Sequence, residues 1–507
     1  MNLQNLLQEK IGLLRQYGTL VEPITSIAFD SRNIINGSAF FCIKGENADG
    51  HDYIVEAIEN GAILIAGTDA GQFEVLSKEY PACTFILVQD VRYAMAHFSI
   101  FFYNHVHESL QTIGVTGTNG KTTVATFVRS LLNQLDVPAG SIGTNGICSS
   151  KGQITFKKST PTTPEAPDLH HIFQLLSEEQ DQAAVMEVSS IAVDQKRVEG
   201  IHFDIAIHTN LSSEHLEYHK TFEHYKEAKM KLFKQASRSI INYDDEGMGR
   251  DLINAAQGEV LTYSLKPSSK ADLIADKIHV TEEGTSFELV YRNRSYIVHS
   301  TVFGDYNVAN LLTAIGVGIF NGFDIETMLP ALAQIENPAG RFQVIDQYGE
   351  RKIILDYAHT PVALENLIEE AKKLDHRKLI VMIAGIGIRD FNKMPLMAKT
   401  IEGKADKIVV TVDHPGFYDP EKIVNQVMTG FSDQTASNIY TSLTREEGVI
   451  TSLELSGNDD IIILTSGCIN GAQIVKGKEI PHSDEEIIQD YFSEISYIGE
   501  DTIGTLY

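Results

Sequence analysis

A glycine-rich stretch at residues 112–123 has the residue types and spacing of a loop that binds phosphate. It reads TIGVTGTNGKTT, although Val115 stands where the common G-x-x-x-x-G-K-[ST] form has glycine. Glycines let backbone N–H groups turn toward an anion, and a following helix adds its positive dipole end. Lys121 can reach the terminal phosphates of a nucleotide, and the Thr122 hydroxyl can bind Mg²⁺. The stretch predicts nucleotide binding; the alternative is a chance glycine turn.

Three more side chains bear on metal binding, and chemistry alone favours it only for the first. Glu187 follows a buried apolar run, where a carboxylate needs a partner such as Mg²⁺; the alternative is a hydrogen-bonded residue at a strand end. Imidazole is an uncommon Mg²⁺ ligand, so chemistry alone favours a structural role for His215. Lys229 stands between Lys226 and Lys231, which is typical of a solvated basic helix face.

Two later residues are candidates for meeting a transferring phosphate. Arg341 follows a probable linker at 337–340 and could reach across a cleft between domains. Asp356 ends a predicted strand and could face the same cleft. Each residue is a weak indication by itself, and the order in which they occur carries more weight.

The elements around the glycine-rich stretch are predicted from the period of the apolar residues. Residues 113–115 read as a buried parallel strand, and the residues after the loop read as an amphipathic helix with one apolar face. That face consists of Val124, Phe127, Val128, Leu131 and Leu132. Strands at 183–186 and 204–207 each end in polar residues. Ligands collect at the carboxyl ends of parallel strands, so these polar ends should open on the loop.

The length of 507 residues predicts about three domains. An α/β unit at 1–110 precedes the nucleotide loop, and a central domain with a parallel sheet occupies 111–340. Strands and helices alternate again over 341–507, which indicates a second parallel-sheet domain with crossover helices. The predicted fold class is therefore α/β with three domains.

Composition excludes several kinds of protein. A net charge of −27 offers no basic face for a nucleic-acid backbone. The N-terminus reads as an amphipathic helix and not as a signal, and no apolar run reaches transmembrane length. The four cysteines form no C-x-x-C pair, so we expect free thiols, no zinc site and a cytoplasmic protein without membrane insertion.

The motifs, taken in order along essentially the whole chain, resemble the Mur ligase family. Within that family they are most similar to the branch that adds the third amino acid to the peptidoglycan precursor. The shared motifs are FDSR at 29–32 with the turn at 45–50, TGTNGKTT at 116–123, PTTPE at 161–165, MEVSS at 186–190, DQKR at 194–197, TNL at 209–211, EHLEYH at 214–219, YKEAK at 225–229, DYN at 305–307, GR at 340–341 and LDYAHT at 355–360.

The resemblance implies a domain for the UDP-sugar, a central P-loop ATPase and a Rossmann-like domain for the amino acid and adenine ribose. It implies that ATP, with Mg²⁺, phosphorylates the terminal carboxylate of a UDP-MurNAc-dipeptide. The acyl phosphate is then attacked by the amine of a free amino acid. We expect a monomer that uses no nucleic acid as a partner.

The resemblance also assigns roles residue by residue. ATP contacts fall on residues 116–123, that is Thr116, Gly117, Thr118, Asn119, Gly120, Lys121, Thr122 and Thr123, with Asn307 and Arg341. Metal contacts fall on Thr122, Glu187, His215 and a carbamylated Lys229. UDP-sugar and peptide contacts fall on Phe29, Ser31, Glu46, Asn47, Ala48, Thr162, Thr163, Ser189, Gln195 and Arg197. Amino-acid contacts fall on Arg389, Asp413, His414, Gly467 and Asn470, and the catalytic set is Lys121, Glu187, His215, Lys229, Arg341 and Asp356.

Departures from the family pattern concentrate at the amino-acid site. Ile191 replaces a histidine after the two serines, and the Asp-Asn-Pro-Arg motif of diaminopimelate-adding members reads DHPG at 413–416. The Gly-Lys-Gly-x-Glu motif reads SGCIN at 466–470. We therefore expect an acceptor other than diaminopimelate, with lysine as the default and a small or neutral amino acid as its rival. Recruitment to another peptide or specialised metabolite, and a binding protein without turnover, stay open.

Overall fold

The computed structural model describes residues 3–20, 23–45, 48–157, 159–160, 162–212, 216–281, 283–467 and 471–503. The helices are α1 (Leu3–Glu9), α2 (Ile54–Glu59), α3 (Ala70–Glu79), α4 (Val91–Phe102), α5 (Lys121–Gln134), α6 (Ala166–Glu178), α7 (Ser190–Asp194), α8 (Leu216–His219), α9 (Phe222–Lys234), α10 (Gly249–Ala255), α11 (Asp305–Phe320), α12 (Ile325–Leu332), α13 (Pro361–Ala371), α14 (Lys393–Ile401), α15 (Pro420–Met428), α16 (Arg445–Glu454) and α17 (Asp484–Ile503).

Strands alternate with these helices along most of the chain, and the predicted α/β class is confirmed. The strands are β1 (Leu13–Tyr17), β2 (Ser26–Ala28), β3 (Ser38–Phe41), β4 (Ala62–Gly67), β5 (Thr84–Val88), β6 (Gln111–Thr116), β7 (Ala139–Gly143), β8 (Gly146–Ser149), β9 (Gly152–Ile154), β10 (Ala183–Glu187), β11 (Phe203–His208), β12 (Ala236–Asn242), β13 (Glu259–Ser264), β14 (Leu273–Thr281), β15 (Gly284–Tyr291), β16 (Arg294–Ser300), β17 (Gln343–Ile345), β18 (Lys352–Asp356), β19 (Leu379–Ile386), β20 (Lys407–Asp413), β21 (Ile439–Thr441), β22 (Ile461–Thr465), β23 (Ala472–Val475) and β24 (Lys478–Pro481).

The first sheet has the order β1-β5-β4-β3-β2, with β1 antiparallel to β5 and the other neighbours parallel. Side chains alternate between the two faces of a strand, so Phe40 and Phe41 of β3 enter different cores. Phe41 packs edge-on against Phe98 of α4, and Phe40 lies in the core that includes Phe73 of α3. Helices therefore cover both faces of this sheet.

The second sheet has the order β16-β15-β14-β13-β12-β11-β6-β10-β7-β8-β9. Its centre is parallel, because β6 pairs with β11 on one side and with β10 on the other. The register places Thr116 opposite His208, and Val115 opposite Glu187. The carboxyl ends of three strands thus meet at the start of the loop that leads into α5.

The third sheet has the order β17-β18-β22-β19-β20-β21, and β23 and β24 form a separate antiparallel hairpin. Every residue of β19 is buried, as expected for a parallel strand covered by helices on both faces. Contacts divide the chain into two compact units. The first unit comprises 1–276, 289–296 and 309–331, and the second comprises 277–288, 297–308 and 332–507.

The described part of the chain contains free thiols and no helix suited to crossing a membrane. Cys42, Cys83 and Cys148 are free thiols, and Cys468 lies outside the described residues. None of the helices described has both the length and the apolar character that crossing a bilayer requires.

A buried pair of histidines should make the first unit sensitive to acid. His107 and His170 lie with ring centroids 5.1 Å apart, and within the described structure His107 Nδ1 and both His170 nitrogens lack hydrogen-bond partners. Burial lowers the pKa of His107 to about 4, against a small opposing effect of Glu108 and a further decrease from His105. The unfolded chain therefore binds the proton more tightly, and stability falls as pH decreases from about 6.5 toward about 4.

We expect the free energy of unfolding to fall by about 2 kcal/mol for His107 alone between about pH 7.5 and about pH 5. His107→Phe keeps a ring in place and should remove that part of the pH dependence in urea unfolding. His279→Phe, at an exposed position of β14, is the control and should follow the wild type. An unchanged pH slope in His107→Phe would show that this histidine does not carry the effect.

Candidate active site

The glycine-rich loop, residues 117–120, joins β6 to α5 and packs closely against the end of β11. Gly120 precedes α5 with φ +86°, a conformation that glycine adopts without strain. A Cβ on Gly117 would lie 1.8 Å from Thr209 Oγ1, so no larger residue fits there without displacing the loop. The Lys121 ammonium donates to the carbonyls of Gly117 at 2.9 Å and Thr118 at 3.0 Å. The cation is therefore held directly over the loop that would receive phosphates.

Side chains from neighbouring elements fix the rest of the loop. Thr209 Oγ1 donates to the Asn119 carbonyl at 2.6 Å, and the Asn119 amide donates to Asn210 Oδ1 at 3.0 Å. The hydroxyls of Thr118 and Tyr225 are 3.1 Å apart. Thr116, Thr122 and Thr123 are buried. The predicted ATP residues 116–123 thus form one preorganised loop.

Lys229 does not lie on a solvated face. Its side chain is 2% exposed, and its ammonium donates to the Gly117 carbonyl at 2.7 Å. The ammonium also lies 4.8 Å from the centre of the Tyr225 ring. Lys226 is partly exposed and Lys231 is exposed, so the solvated-face interpretation applies to the neighbours of Lys229 and not to Lys229 itself.

Glu187 lies at the end of β10 with its carboxylate buried beside the same loop. Its Oε1 accepts from the Thr144 amide at 2.7 Å, and Oε2 lies 3.3 Å from Thr144 Oγ1. A Cβ on Gly143 would lie 2.1 Å from Oε1, so the glycine makes room for the carboxylate. His215 lies outside the described residues. Within the described ranges, no group of three or more His, Cys, Asp or Glu side chains is arranged to hold a metal ion.

His208 is a buried residue at this edge to which the sequence assigned no role. It ends β11, and its Nε2 lies 3.4 Å from Asp245 Oδ2. Burial lowers the pKa of His208 to about 4; Asp245 acts in the opposite direction, and Lys229 adds to the decrease. The imidazole is therefore neutral at physiological pH and places no second positive charge beside Lys229.

The residues assigned to the sugar and peptide converge on Glu187. Thr163 Oγ1 donates to the Glu187 carbonyl at 2.9 Å and accepts from the Ser189 amide at 3.1 Å. Arg197 donates to the Thr163 carbonyl at 2.9 Å and to Gln195 Oε1 at 2.7 Å. Separately, the hydroxyls of Thr162 and Thr144 are 3.3 Å apart. These side chains form one hydrogen-bonded surface that continues to the glycine-rich loop.

Two residues without an assigned role position Arg197. Buried Glu165 accepts from Arg92 at 2.9 Å, and its other oxygen lies 3.1 Å from Arg197 Nε. Glu165 is the last residue of the PTTPE motif, and its place in that motif could have indicated a role at the site. Arg92 lies in α4, and nothing in its sequence surroundings indicated a partner 73 residues away.

The residues assigned to the uridine end lie on the first sheet. Ser31 is buried at the start of a 3₁₀ helix, Ser31–Asn33, and its carbonyl accepts from the Asn60 side chain at 3.3 Å. Phe29 is partly buried, and Ala48 accepts from the Gly45 amide at 2.8 Å to close a turn. Glu46 and Asn47 lie outside the described residues.

Arg341 and Asp356 lie in the second unit. Asp356 accepts from the amides of Phe342 and Ala358, both at 2.8 Å, and the Arg341 guanidinium lies 4.9 Å from the centre of the Tyr357 ring. Burial raises the pKa of Asp356, while Arg341 and the two backbone donors act to lower it.

The adenine candidate belongs to the same unit but to a different helix. Asn307 is buried in the first turn of α11 and donates to the Phe303 carbonyl at 2.9 Å.

The residues assigned to the amino acid are brought together only in part. Arg389 is exposed and donates to the Tyr357 hydroxyl at 3.3 Å. Asp413 is the last residue of β20 and His414 follows it; Asp413 Oδ1 accepts from Gln473 Nε2 at 2.9 Å. Gly467 lies beside Arg445, and Asn470 lies outside the described residues.

A buried ion pair that the sequence did not indicate lies beneath Gly467. Arg445 donates to both carboxylate oxygens of Asp484, at 2.9 and 2.6 Å, and Asp413 lies 3.9 Å from the guanidinium. Burial opposes ionisation of Asp484, but Arg445 and His482 outweigh it and hold the pKa of Asp484 well below its usual range. The charged groups beneath this surface are therefore already paired.

Three family profiles match successive parts of the chain. They are described as Mur ligase family, catalytic domain, at residues 23–103; Mur ligase middle domain, at 115–318; and Mur ligase, glutamate ligase domain, at 340–468.

Curated relatives match the chain almost from end to end. UDP-N-acetylmuramoyl-L-alanyl-D-glutamate–2,6-diaminopimelate ligase 1 of Clostridium acetobutylicum is 35% identical over 480 residues, covering 94% of this chain and 96% of the relative. The corresponding 2,6-diaminopimelate ligase of Geobacillus kaustophilus is 34% identical over 473 residues, covering 92% and 94%.

Solved structures share the fold. A structure of a UDP-N-acetylmuramoyl-L-alanyl-D-glutamate–2,6-diaminopimelate ligase is 27% identical, with a TM-score of 0.65 over 94% of this chain and 96% of its own. The MurF ligase of Thermotoga maritima is 17% identical, with a TM-score of 0.62 over 94% and 98%, which shows likeness of fold alone.

Proposed function

The chain belongs to the Mur ligase family, and we infer that it is an ATP-dependent ligase that joins an amino acid to UDP-N-acetylmuramoyl-L-alanyl-D-glutamate, a peptidoglycan precursor. The observation that carries this inference is the continuous surface at the ends of β6 and β10. Thr163 contacts the Glu187 carbonyl, and Glu187 lies beside the loop that holds Lys121. A substrate carboxylate held near Thr163 would meet a nucleotide phosphate held at the loop of Lys121.

The chemistry activates a carboxylate, which is a poor electrophile by itself. We propose that a terminal carboxylate oxygen of the dipeptide attacks the γ-phosphorus of ATP, and the bond to ADP breaks, leaving an acyl phosphate. The amine of the amino acid then attacks the acyl carbon. The bond to phosphate breaks and the nitrogen loses a proton, which gives an amide and inorganic phosphate.

This chain's own groups would hold several anions together during the transfer. Lys121 and the N-terminus of α5 supply positive charge at the terminal phosphates. Arg341 is the proposed second cation at the transferring group, with Asp356 as its carboxylate neighbour and Asn307 at the adenine. Phe29, Ser31 and Ala48, with Glu46 and Asn47, are proposed for the uridine end.

The donors present fit a magnesium ion. Thr122 offers a hydroxyl in the first turn of α5, and Glu187 offers a buried carboxylate, which are oxygen ligands of the kind that Mg²⁺ prefers. Mg²⁺ would neutralise charge that moves between phosphate oxygens. His215 is proposed as a further ligand from the family resemblance alone.

Lys229 is proposed to act as a carbamate. Its neutral amine would add to carbon dioxide and lose a proton, which converts the side chain into an anion. Burial, the Gly117 carbonyl and the neutral His208 give that position a defined environment beside the loop. The resulting carboxylate oxygens would help to position Mg²⁺.

The added amino acid is proposed separately from the reaction. The relatives at 33–35% identity are diaminopimelate ligases. This chain has Gly416 at the place of the motif's arginine, and an arginine fork is the usual partner of a distal carboxylate. We propose that the acceptor is not diaminopimelate and that lysine is the default from the family. A ligase recruited to another peptide is the alternative that this departure favours.

A binding protein without turnover is the alternative from a different class. The hydrogen bonds that hold Lys121 at the loop, and the burial of Glu187 and Lys229 beside it, support catalysis over that alternative. We further propose that the enzyme is a monomer and that it is cytoplasmic, which agrees with the free thiols of Cys42, Cys83 and Cys148.

The test is release of ADP from ATP and Mg²⁺ with a panel of amino acids. We expect release only when UDP-N-acetylmuramoyl-L-alanyl-D-glutamate and an amino acid are both present, and none with UDP-N-acetylmuramic acid. Release that is independent of the dipeptide, or absent with every amino acid, would contradict the proposed function.

A further inference from the structure

We propose that an apolar surface of Ile388, Gly416 and Phe417 receives the side chain of the incoming amino acid and selects one with an uncharged, apolar side chain. This inference rests on the proposed function and names its acceptor class. It replaces lysine by the neutral rival on the ground of contacts around β20 and the β23–β24 hairpin.

The hairpin uses the polar groups that would otherwise face the acceptor. Gln473 Nε2 donates to Asp413 Oδ1 at 2.9 Å, and the Ile474 amide donates to His414 Nδ1 at 3.0 Å. Asp413 Oδ2 lies 3.9 Å from Arg445, and Asp413 is 1% exposed. Asp413 is therefore not placed to receive the distal ammonium of lysine or diaminopimelate.

Gly416 is tied into the same hairpin through its backbone. Its amide donates to the Ile474 carbonyl at 2.9 Å, and its carbonyl accepts from the Lys476 amide at 2.6 Å. Its φ is +62°, which is unfavourable for a residue with a Cβ, and a Cβ there would lie 2.9 Å from Ile388 Cγ2. The position that bears an arginine in diaminopimelate-adding members cannot bear one here without local rearrangement.

Apolar side chains surround this position and are open to solvent. Ile388 is 47% exposed, Tyr418 54% and Phe417 82%, the highest fraction among the large hydrophobic side chains described. The Phe417 ring borders the hairpin turn, since a Cβ on Gly477 would lie 3.1 Å from it. Covering such a surface with an apolar group releases water and favours binding, whereas a charged group there would lose hydration.

Two cations lie near this surface, Arg389 and Lys476. Arg389 follows Ile388 directly and donates to the Tyr357 hydroxyl, which suits the α-carboxylate that every amino acid carries. Lys476 is exposed at the hairpin turn, and its amide donates to the Gly416 carbonyl. Its ammonium could bind a distal carboxylate. Binding of a distal carboxylate by Lys476 is therefore the alternative that the experiment must distinguish.

The experiment measures kcat/KM for leucine, methionine, phenylalanine, alanine, lysine and meso-diaminopimelate with ATP and the UDP-dipeptide. We expect a neutral apolar amino acid to exceed both charged ones at least about tenfold. Preference for lysine or diaminopimelate would overturn the inference while leaving the proposed ligase intact. Loss of diaminopimelate use in Lys476→Ala would then show that Lys476 of the hairpin binds the distal carboxylate. No turnover with any amino acid would overturn the proposed function and this inference together.

Matched truncations test the surface itself. Ile388→Ala and Phe417→Ala should each lower kcat/KM for the preferred amino acid roughly tenfold through KM, with the KM for ATP unchanged. Leu443→Ala is the control, because Leu443 is also 47% exposed in the same unit but precedes α16. Equal effects of Ile388→Ala and Leu443→Ala would show that the surface does not contact the acceptor.

Discussion

Replacing Lys121 with alanine should lower ligase turnover about a thousandfold, with the fold intact. The ammonium is held over the loop by the carbonyls of Gly117 and Thr118, where it would meet the terminal phosphates of ATP. Without it, charge developing during phosphoryl transfer loses its nearest fixed cation. Steady-state ADP release with saturating dipeptide and amino acid is the measurement.

The control for this variant is Lys234→Ala, which removes a lysine at the exposed end of α9. Lys234→Ala should retain turnover, and both variants should give the far-ultraviolet circular dichroism of the wild type. Near-normal turnover in folded Lys121→Ala would show that the loop does not bind the reacting phosphates.

Lys229→Ala should be the second severe variant, with turnover reduced about 10²-fold. The proposed carbamate supplies an anion at a buried position beside Gly117, and alanine removes both the anion and its tether. Added formate or acetate should restore part of the activity, because a small carboxylate can enter the vacated space and take the place of the carbamate. The measurement is turnover against carboxylate concentration.

Lys231→Ala distinguishes this role from a general effect of lost charge on α9, since Lys231 is exposed two residues away. It should behave as the wild type and should not respond to carboxylates. Wild-type turnover of Lys229→Ala without any additive would show that the enzyme does not need a carbamate at this position. Intact-mass analysis of the active wild type gives a second reading of the modification.

The loop and its strands were predictable because their signals are local. Glycines at 117 and 120, the apolar run before them and the 3.6-residue period after them each depend on neighbours in sequence. Parallel pairing then brings the polar end of β10 beside the loop, as the rule for carboxyl ends predicts. The position of Glu187 beside the loop therefore follows from the order of the strands in a parallel sheet.

Other features depend on contacts between distant residues and left no local signal. The four lysines on α9 look alike in sequence, and only the packing of α9 against the loop buries Lys229. The Glu165 link to Arg92 and the Arg445 link to Asp484 join residues far apart along the chain. Such pairs are selected by the tertiary fold and not by propensity.

The amino-acid site shows both situations at one place. The sequence revealed that Gly416 stands where an arginine was expected, and hence predicted a change of acceptor. It did not reveal that the β23–β24 hairpin binds the backbone of Gly416 and uses Asp413 and His414, because those hydrogen bonds span about sixty residues. The contacts that favour an apolar acceptor are therefore visible only in the structure.

Whether this chain joins an amino acid to the dipeptide is decided by the mass of the UDP-sugar product after incubation with ATP, Mg²⁺, UDP-N-acetylmuramoyl-L-alanyl-D-glutamate and the amino-acid panel. We expect one new species, heavier than the dipeptide by one amino acid minus water, formed with one ADP and one phosphate per molecule. An unchanged UDP-dipeptide under conditions in which ATP is consumed would contradict it.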